Sequence, residues 1–371
     1  MFRSEDEYYM HIAVSLAERG AGWVSPNPLV GAVVVKNHRI IGQGWHQKCG
    51  EAHAERNALA ACTEPPEGAD LYVTLEPCCH YGRQPPCTDA ILHAGIRRVF
   101  VGSPDPNPLV AGKGVEILRR HGVEVREHVL QQECDRLNPI FFHYIRTRRP
   151  YVIMKYAMTL DGKIAAHTGS SRWITGPAAR AHVQQQRHRC RGIMVGVGTV
   201  LQDDPLLTCR MEGGRNPIRI LCDTRLRTPL TAQVVRTAGD VPTILATCCM
   251  DTARQQPYLD AGCQVLPVPQ RHGQLDLSAL MAQLGAMQID SILLEGGGTL
   301  NWSALQSGIV QHVQTYIAPK LLGGRDAKTP LEGTGLSAPA DAPLLTNCTV
   351  RTLGEDFLLE GDVAEYVHRD H

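Results

Sequence analysis

The chain has 371 residues, of which 43% are hydrophobic and 20% are charged, and its 37 basic residues balance its 37 acidic ones. This length exceeds what one hydrophobic core usually organises, so two domains are expected, and no apolar run approaches the roughly 18 residues that span a membrane. A formal charge of zero without a basic tract also argues against nucleic acid as the main partner.

The N-terminal sequence and the cysteine content bear on the compartment. MFRSEDEYYM is acidic and lacks the apolar segment of a secretory signal, which predicts a cytoplasmic, reducing environment. The 13 cysteines are therefore not expected to form disulfides. Most should be small buried residues, which leaves a few as candidate metal ligands.

The predicted elements of the first domain alternate between helix and strand. Ser4 and Glu7 form a capping-box pattern that predicts a helix from about Asp6 to Arg19. Two β-branched runs joined at Lys36-Asn37-His38 are typical of a hairpin. Helices are then predicted over EAHAERNALA, TDAILHAG and GKGVEILRRHG, and strands over LYVTL, RRVFVG and VEV. This alternation predicts a sheet covered on both faces.

A second α/β alternation begins after FFHYIRTRRP, and we place the boundary at Arg146, which gives domains 1–146 and 147–371. Strands are predicted over YVIMKYAMTLDGKIA, GIMVGV, PIRILCDT, TILATC, QVLPV, SILLEGGG and VQTYIAPKLL. Helices are predicted over PAARAHVQQQRHRC, LSALMAQLGAM and about Thr299 to Gln306. No G-x-G-x-x-G follows the first strand, so an ordinary dinucleotide-binding motif is missing. The turns Gly196-Val197-Gly198 and Gly296-Gly297-Gly298 instead offer backbone N–H groups to phosphate.

Three residues of the first domain have the chemistry of a catalytic zinc site. His53 lies at a predicted helix start, Cys78 follows a proline at a strand end, and Cys87 opens the next helix. One histidine and two cysteines leave the fourth tetrahedral position to water, as in catalytic sites. Glu55 is predicted not to bind the metal. It would accept the proton of the bound water and deliver it to a leaving amine.

The spacing departs from the general signature of zinc deaminases, in which His-x-Glu precedes Pro-Cys-x-x-Cys. Here the two cysteines are in a Cys-x8-Cys spacing, and Cys79 and His80 lie between them as rival donors. Taken singly, each of these residues is more often a core residue or, for a glutamate at a helix start, a carboxylate that matches the helix dipole. Their combination within one βαβα run favours the metal site.

Longer motifs around these residues resemble the bifunctional deaminase-reductases of riboflavin biosynthesis. The deaminase half of that family is similar to SPNPLVG, EAHAERNAL, YVTLEPCCHYGRQPPCTDAI and DPNPLVAGKGVEIL. The reductase half is similar to MKYAMTLDGKIA, SRWITGPAAR, VGTVLQDDPLLTCR, PIRILCDT, LLEGGGTLNWSAL and YIAPKLLGG. The similarity runs from about Glu7 past Leu322 and includes the Cys-x8-Cys spacing, although Cys79 stands where the family usually has serine. The resemblance implies that Cys78 is the ligand.

The resemblance implies an α/β protein with an N-terminal cytidine-deaminase-like α/β/α domain and a C-terminal dihydrofolate-reductase-like α/β domain. With Zn²⁺, the first would deaminate 2,5-diamino-6-(5-phosphoribosylamino)pyrimidin-4(3H)-one. With NADPH, the second would reduce the ribosyl group of 5-amino-6-(5-phosphoribosylamino)uracil to ribityl. We therefore expect a small-molecule substrate, no nucleic acid and no membrane partner, and we further expect a homo-oligomer.

The resemblance also implies individual contacts. In the first domain Asn27 is a candidate for ring or ribose contact, although an asparagine between two prolines is equally typical of a turn. Arg225 and Arg227, beside Thr224, are candidates for the extra phosphate that separates NADP from NAD. The implied cofactor contacts are Met158, Trp173, Thr199, Asp203, Thr224, Gly297, Gly298 and Thr299. The implied substrate contacts are Lys155, Ser171, Arg187, Leu207, Arg210 and Glu295.

Two alternatives share part of this pattern. A nucleic-acid-editing deaminase would use the same zinc chemistry, but it would need a basic surface, which the zero formal charge disfavours. A structural zinc module on a binding protein would need four protein ligands and would have no use for Glu55.

Overall fold

The computed structural model describes residues 4–82 and 84–364, so residues 1–3 and 365–371 of the two predicted domains lie outside the described residues. The chain forms two compact units whose boundary in the sequence lies between Arg148 and Arg149. Within the described part of the chain, no helix combines the length and the apolar character needed to cross a bilayer.

The first unit contains a five-stranded sheet with the strand order β2-β1-β3-β4-β5. The strands are β1 Gly31–Lys36, β2 Arg39–Trp45, β3 Asp70–Leu75, β4 Arg98–Ser103 and β5 Glu124–Arg126. The helices are α1 Glu5–Glu18, α2 Ala54–Ala60, α3 Cys87–His93, α4 Lys113–Arg120, α5 Gln131–Leu137 and α6 Pro139–Thr147. Strand β1 is antiparallel to both of its neighbours, whereas β3, β4 and β5 are parallel. The carboxyl ends of these parallel strands therefore lie at one edge of the sheet.

Local chemistry explains the start of this unit. The Ser4 hydroxyl accepts a hydrogen bond from the Glu7 backbone N–H (3.2 Å), which caps α1. Asn37 and His38 have φ angles of 51° and 61° and form the two-residue turn between β1 and β2. Positive φ at both central residues is the requirement of a type I′ hairpin turn. The predicted first helix and the predicted hairpin are both present.

Apolar side chains cover both faces of this sheet, as the alternation predicts. On one face α1 and α5 pack against the strands through residues such as Met10 and Phe100. On the other face α2, α3, α4 and α6 pack through residues such as Ile91, Leu118 and Val99. Burial on both faces fixes where the helices begin relative to the strand ends, and those junctions carry the metal-site residues.

The second unit contains a nine-stranded sheet with the order β10-β9-β8-β7-β13-β6-β14-β16-β15, and β11 and β12 form a separate pair. The strands are β6 Tyr151–Thr159, β7 Gly192–Gly196, β8 Ile218–Cys222, β9 Thr243–Thr247, β10 Gln264–Pro267, β11 Gln270–Arg271, β12 Gln274–Leu275, β13 Ser291–Leu294, β14 His312–Ala318, β15 Leu345–Leu353 and β16 Asp356–Val363. The helices are α7 Pro177–Arg189, α8 Val197–Asp203, α9 Gln233–Arg236, α10 Thr252–Asp260, α11 Leu277–Ala286 and α12 Gly298–Gln306, with a 3₁₀ turn at Pro339–Asp341.

The first seven strands in this order, β10-β9-β8-β7-β13-β6-β14, are parallel to one another. Strand β16 pairs antiparallel with β14, and β15 pairs antiparallel with β16. Alternate residues of one strand face opposite cores. Met194 packs towards α11, whereas Ile193 packs towards α9 and α10. A parallel sheet covered on both faces places ligand sites at the carboxyl ends of its strands.

Several elements of the structure were missing from the sequence analysis. They are α5, α6, α8, α9, α10, β11, β12, β15 and β16. Helix α10 contains Pro257 in its interior, and α8 begins in a glycine-rich turn, so neither has the usual signature of a helix. Strand β15 is exposed along most of its length, so its sequence lacks the alternation of apolar and polar residues that marks a half-buried strand.

Candidate active sites

The three predicted metal ligands come together in the first unit. His53 is the N-cap of α2, Cys87 is the first residue of α3, and Cys78 follows the end of β3. Among the described residues, their donor atoms form a group within 4.8 Å of one another, and His53 Nδ1 lies 3.4 Å from each sulfur. Tetrahedral zinc bonds imply nitrogen-to-sulfur separations of about 3.6 Å. The donor set and its spacing therefore fit a zinc ion with three protein ligands.

The electrostatics of the cluster favour a thiolate at Cys78. The thiol and the backbone N–H of Cys87 and the ring of His53 all point at the Cys78 sulfur, and the backbone N–H is 3.4 Å away. These contacts lower the pKa of Cys78 to about 4, led by the contact with the Cys87 thiol and against the effect of burial. A thiolate is the form of cysteine that binds metal.

Neither rival donor joins the cluster. The Cys79 thiol donates to the backbone oxygen of Leu109 (3.6 Å), and burial raises its pKa, so it has the character of an ordinary thiol. His80 lies outside the group of donors, and its Nδ1 is buried without a hydrogen-bond partner among the described residues.

Glu55 lies in the first turn of α2 and is only 3% exposed. Its carboxylate does not belong to the group of metal donors. Burial raises the pKa of Glu55 to about 7, and the negative Cys78 adds to this effect. A carboxyl group whose pKa lies near neutrality can both accept and release a proton.

A second buried carboxylate holds the segment that carries Cys78. Glu76 is 4% exposed and accepts hydrogen bonds from the backbone N–H groups of Gly112 (2.9 Å), Gly114 (3.0 Å), Val115 (3.3 Å) and Asp105 (3.4 Å). Three of these donors belong to the start of α4, so Glu76 ties the end of β3 to that helix.

Asn27 and a histidine that the sequence analysis missed border the same site. Asn27 Nδ2 lies 3.1 Å from His46 Nε2, and His46 Nδ1 lies 3.1 Å from the oxygen of Ala52. The His46 ring is 5.3 Å from the His53 ring, and burial lowers the pKa of His46. His46 follows β2 and has no motif of its own, so only the fold brings it to His53.

The second unit contains a cleft of about 1060 Å³ at the carboxyl ends of its central parallel strands. Most of the predicted cofactor and substrate contacts line this cleft. They are Lys155, Ser171, Trp173, Arg187, Thr199, Asp203, Leu207, Arg210, Thr224, Glu295, Gly297, Gly298 and Thr299. Met158, also predicted, is not among the lining residues. It lies on β6, three positions after Lys155, and alternating strand geometry turns the two side chains to opposite faces.

The two glycine-rich turns open onto this cleft. Gly196 is the N-cap of α8 and Gly297 is the N-cap of α12, so each turn joins a strand to a helix. A Cβ atom built at Gly198 or Gly297 would meet no protein atom within 4 Å. Free space at helix N-termini lets a phosphate approach the backbone N–H groups, which fits the pyrophosphate of a dinucleotide such as NADPH.

An ionic triad with little solvent exposure lines the cleft. Arg187 donates to both carboxylate oxygens of Glu295 (2.8 and 3.0 Å), and Lys155 Nζ is 3.6 Å from the second oxygen. Burial opposes ionisation of Glu295, but the charges of Arg187 and Lys155 outweigh it and hold the pKa near 2. Glu295 is therefore ionised at every physiological pH.

Comparison with known proteins places this fold and these sites in context. Residues 3–103 match the model of the cytidine and deoxycytidylate deaminase zinc-binding region, and residues 150–359 match the model of the RibD C-terminal domain. The riboflavin biosynthesis protein RibD of Actinobacillus pleuropneumoniae is 55% identical over 352 residues, which cover 95% of this chain and 94% of that protein.

Solved structures give the same result over the whole chain. The structure of Acinetobacter baumannii RibD, form 1, matches with a TM-score of 0.87 at 37% identity and covers 97% of this chain and 99% of that one. The structure of a diaminohydroxyphosphoribosylaminopyrimidine deaminase/5-amino-6-(5-phosphoribosylamino)uracil reductase from Thermotoga maritima matches with a TM-score of 0.88 at 37% identity, with the same coverage.

Fold and sites together define a zinc-dependent deaminase joined in one chain to an NADPH-dependent reductase. The predicted fold class, one α/β domain of each kind, is thereby confirmed. The chain belongs to the RibD family, the bifunctional deaminase-reductases of riboflavin biosynthesis.

Proposed function

We propose that the first unit deaminates 2,5-diamino-6-(5-phosphoribosylamino)pyrimidin-4(3H)-one and that the second unit reduces the ribosyl group of the deaminated product. The observation that carries this proposal is the three-donor cluster with the buried, unligated Glu55 beside it. The name of the Thermotoga maritima protein supports the choice of substrates, because it states both activities.

In the proposed deaminase site, His53, Cys78 and Cys87 hold the zinc ion. Zinc, when bound, lowers the pKa of a coordinated water towards 7 and so supplies a nucleophile at neutral pH. Glu55 accepts the proton of that water and delivers it to the departing amine, and its raised pKa suits both steps. Asn27, held by His46, contacts the ring or the ribose.

In the proposed reductase site, the turns before α8 and α12 take the phosphate oxygens of NADPH. NADPH, when bound, supplies a hydride to the sugar carbon. Lys155, whose Nζ lies 3.6 Å from a carboxylate oxygen of Glu295, contacts the sugar at the reacting end. Arg210 is exposed at the cleft, and its guanidinium has no partner among the described residues, which leaves it available to the ribose phosphate. Met158 stays a prediction from the resemblance.

Arg225 and Arg227 are proposed to select NADPH over NADH. Both are exposed, line the cleft and follow Thr224 just after the end of β8, so they can receive the additional phosphate of NADP. The test is the ratio of kcat/KM for NADPH to that for NADH in R225A, R227A and the double variant. An unchanged ratio in all three would show that the selectivity lies elsewhere.

The direct test of the proposal follows ammonia release and NADPH absorbance together, with the diaminopyrimidinone phosphate as substrate. The expected result is ammonia release without NADPH, and NADPH oxidation only after ammonia has appeared. A chain that binds zinc but releases no ammonia would contradict the deaminase assignment, and would leave the structural zinc module as the better account. Ammonia release from single-stranded nucleic acid in place of this substrate would favour the editing deaminase.

We propose a cytoplasmic location, because all 13 cysteines are free and two of them are proposed metal ligands that need a reducing compartment. The measurement is fractionation of the source cells, and recovery outside the cytoplasm would contradict the proposal.

We also propose a homo-oligomer. Strand β15 is the edge of the large sheet and is exposed along most of its length, and such edges tend to pair with another copy. Analytical ultracentrifugation tests this proposal, and a monomer at micromolar concentration would contradict it.

A further inference from the structure

The second unit contains a fully buried arginine that the proposed chemistry does not use. Arg219 on β8 has an exposure of 0%, and burial lowers the pKa of its guanidinium. No carboxylate is among its hydrogen-bond partners within the described residues. A buried charge without a counterion costs free energy, and an apolar side chain of similar size is often at least as stable in such a place. The presence of Arg219 therefore indicates a role other than stabilising the fold.

Neutral oxygens satisfy the whole guanidinium. Nε donates to Thr243 Oγ1 (2.9 Å), and the two terminal nitrogens donate to Thr237 Oγ1 (2.8 Å), Thr237 O (3.0 Å) and Val241 O (2.8 Å). These partners lie between the end of α9 and the start of β9. The fifth bond goes elsewhere, to the backbone oxygen of Leu206 (3.2 Å).

That fifth bond holds a segment that lines the reductase cleft. We call residues Asp203–Thr208 the substrate loop. Two of its non-glycine residues, Asp204 (φ 38°) and Leu207 (φ 53°), have left-handed backbone. Such backbone costs about 1–3 kcal/mol per residue and persists only where its surroundings hold it. Leu207 is a predicted substrate contact and is 4% exposed, so its position depends on how the loop is held.

Other donors hold three further carbonyl groups of the substrate loop. Arg172 donates to Asp203 O (3.1 Å), Gln233 to Asp204 O (2.5 Å) and Arg187 to Thr208 O (2.9 Å). These three side chains are exposed or line the cleft themselves. Arg219 differs from them because it reaches the loop from the core, next to Leu207.

We propose that Arg219 is a positioning residue for the reductase, which holds the substrate loop in the conformation that places Leu207 against the substrate. The inference rests on the proposed function, because it takes the cleft as the reductase site. It assigns Arg219 no contact with substrate or cofactor.

The test compares the wild type with R219M, R219K and the control variant R236M. Lysine keeps the charge, but its ammonium ends one bond short of the terminal guanidinium nitrogens and so falls short of Leu206 O. Arg236 lies on α9 of the same unit and is exposed outside the cleft. Steady-state reduction of the deaminated substrate, the Kd for NADPH and hydrogen exchange of the loop amides are measured for each variant.

The expected result is a KM for the pyrimidine substrate raised about tenfold in R219M and R219K, since a misplaced contact loses binding. The Kd for NADPH is expected to stay within about twofold, because Arg219 bonds to Leu206 and to no residue of the two glycine-rich turns, and Arg172 still holds the predicted cofactor contact Asp203. Exchange of the backbone amides of Asp204, Leu206, Leu207 and Thr208 should quicken in both variants. R236M should match the wild type in all three measurements.

Wild-type KM and wild-type loop exchange in R219K would overturn the proposal. Equal weakening of substrate and NADPH binding in R219K would also overturn it, because it would indicate general loosening of the unit. If R219M does not fold, R219K decides between these outcomes. A wild type that binds NADPH but reduces nothing would refute the proposed function instead, and the exchange rates would still show whether Arg219 holds the loop.

Discussion

Two buried glutamates of this chain have opposite electrostatic surroundings. Burial raises the pKa of Glu55 to about 7 and the negative Cys78 adds to this effect, whereas the charge of His53 and the hydrogen bonds of the carboxylate lower the pKa only in part. Glu295 is largely buried, with a side chain that is 12% exposed, but Arg187 and Lys155 outweigh burial and hold its pKa near 2. The first carboxyl can therefore exchange a proton at neutral pH, and the second stays charged.

The first residue-scale prediction concerns Glu55. In E55Q the rate of ammonia release should fall by about 10²–10⁴, because proton transfer by a positioned carboxyl contributes about that much. Zinc content should remain that of the wild type, since Glu55 is not in the donor group. The control is E51Q, because Glu51 is exposed and just precedes the same helix. Full activity in E55Q, or loss of its zinc, would contradict the role assigned to Glu55.

The second residue-scale prediction concerns the acid stability that Glu295 confers. A carboxyl whose pKa is depressed on folding stabilises the protein above its unfolded pKa of about 4.3, and this stabilisation is lost as the pH falls towards 2. At pH 7 we expect E295Q to lower the free energy of unfolding of the second unit by on the order of 3 kcal/mol. The difference from the wild type should shrink between about pH 4 and pH 2.

Denaturant unfolding at several pH values measures this effect, with E212Q as the control because Glu212 is exposed in the same unit. A difference between E295Q and the wild type that did not change with pH would show that the triad owes its effect to packing and not to charge.

At the residue scale, the metal donors were predictable because they belong to short motifs at element ends. The choice of Cys78 over Cys79 as the metal ligand needed either the family resemblance or the coordinates, because two adjacent cysteines look alike in sequence. His46 and Arg219 were not predicted. Their partners come from other elements, at Asn27 and at Leu206, so no local pattern marks them.

At the scale of elements, the approach of α4 to the end of β3 positions Cys78. Gly114 is buried in the first turn of α4, and a Cβ at this position would lie 2.2 Å from the backbone oxygen of Pro77 and 3.2 Å from Glu76 Oε1. Only glycine permits this approach, which the hydrogen bonds to Glu76 then maintain. The start of α4 and the Glu76 carboxylate therefore position the metal ligand Cys78, although neither of them is itself a metal ligand.

We therefore predict that G114A weakens zinc binding by about 10–100-fold, the usual effect of disturbing groups that orient a ligand. Competition with a chromogenic chelator measures the affinity. G239A is the control, because a Cβ at Gly239 would meet no atom within 4 Å. Wild-type zinc affinity in G114A would show that α4 does not position Cys78.

The elements that could be predicted have strong local signals. Buried strands such as β3 and β7 are apolar runs bounded by turn residues, and α1 has a cap and an apolar stripe. Among the missing helices, α5, α8 and α9 have at most seven residues and α10 contains Pro257, whereas the nine-residue α6 lies in the stretch that was interpreted as leading from one domain to the next. The last hairpin, β15 and β16, owes its place to pairing with β14, which no local pattern contains.

At the scale of the whole molecule, one chain carries two reactions, deamination and reduction, and each uses residues of a different unit. The zinc cluster and Glu55 belong to the first unit, and the cleft with the Lys155–Glu295 pair belongs to the second. The division into two α/β domains was predictable from the length and from the restart of the strand and helix alternation. The kind of reductase was not, because its glycine-rich turns lack a dinucleotide fingerprint and only the family resemblance indicated which reductase they belong to.

The central claim is that deamination in the first unit precedes reduction in the second, and E55Q tests it most directly. NADPH oxidation by this variant is measured with the diaminopyrimidinone phosphate and, separately, with its deaminated product. The account predicts almost no oxidation with the first compound and wild-type oxidation with the second. Wild-type NADPH oxidation with the diamino compound would show that reduction does not wait for deamination, and would contradict the account.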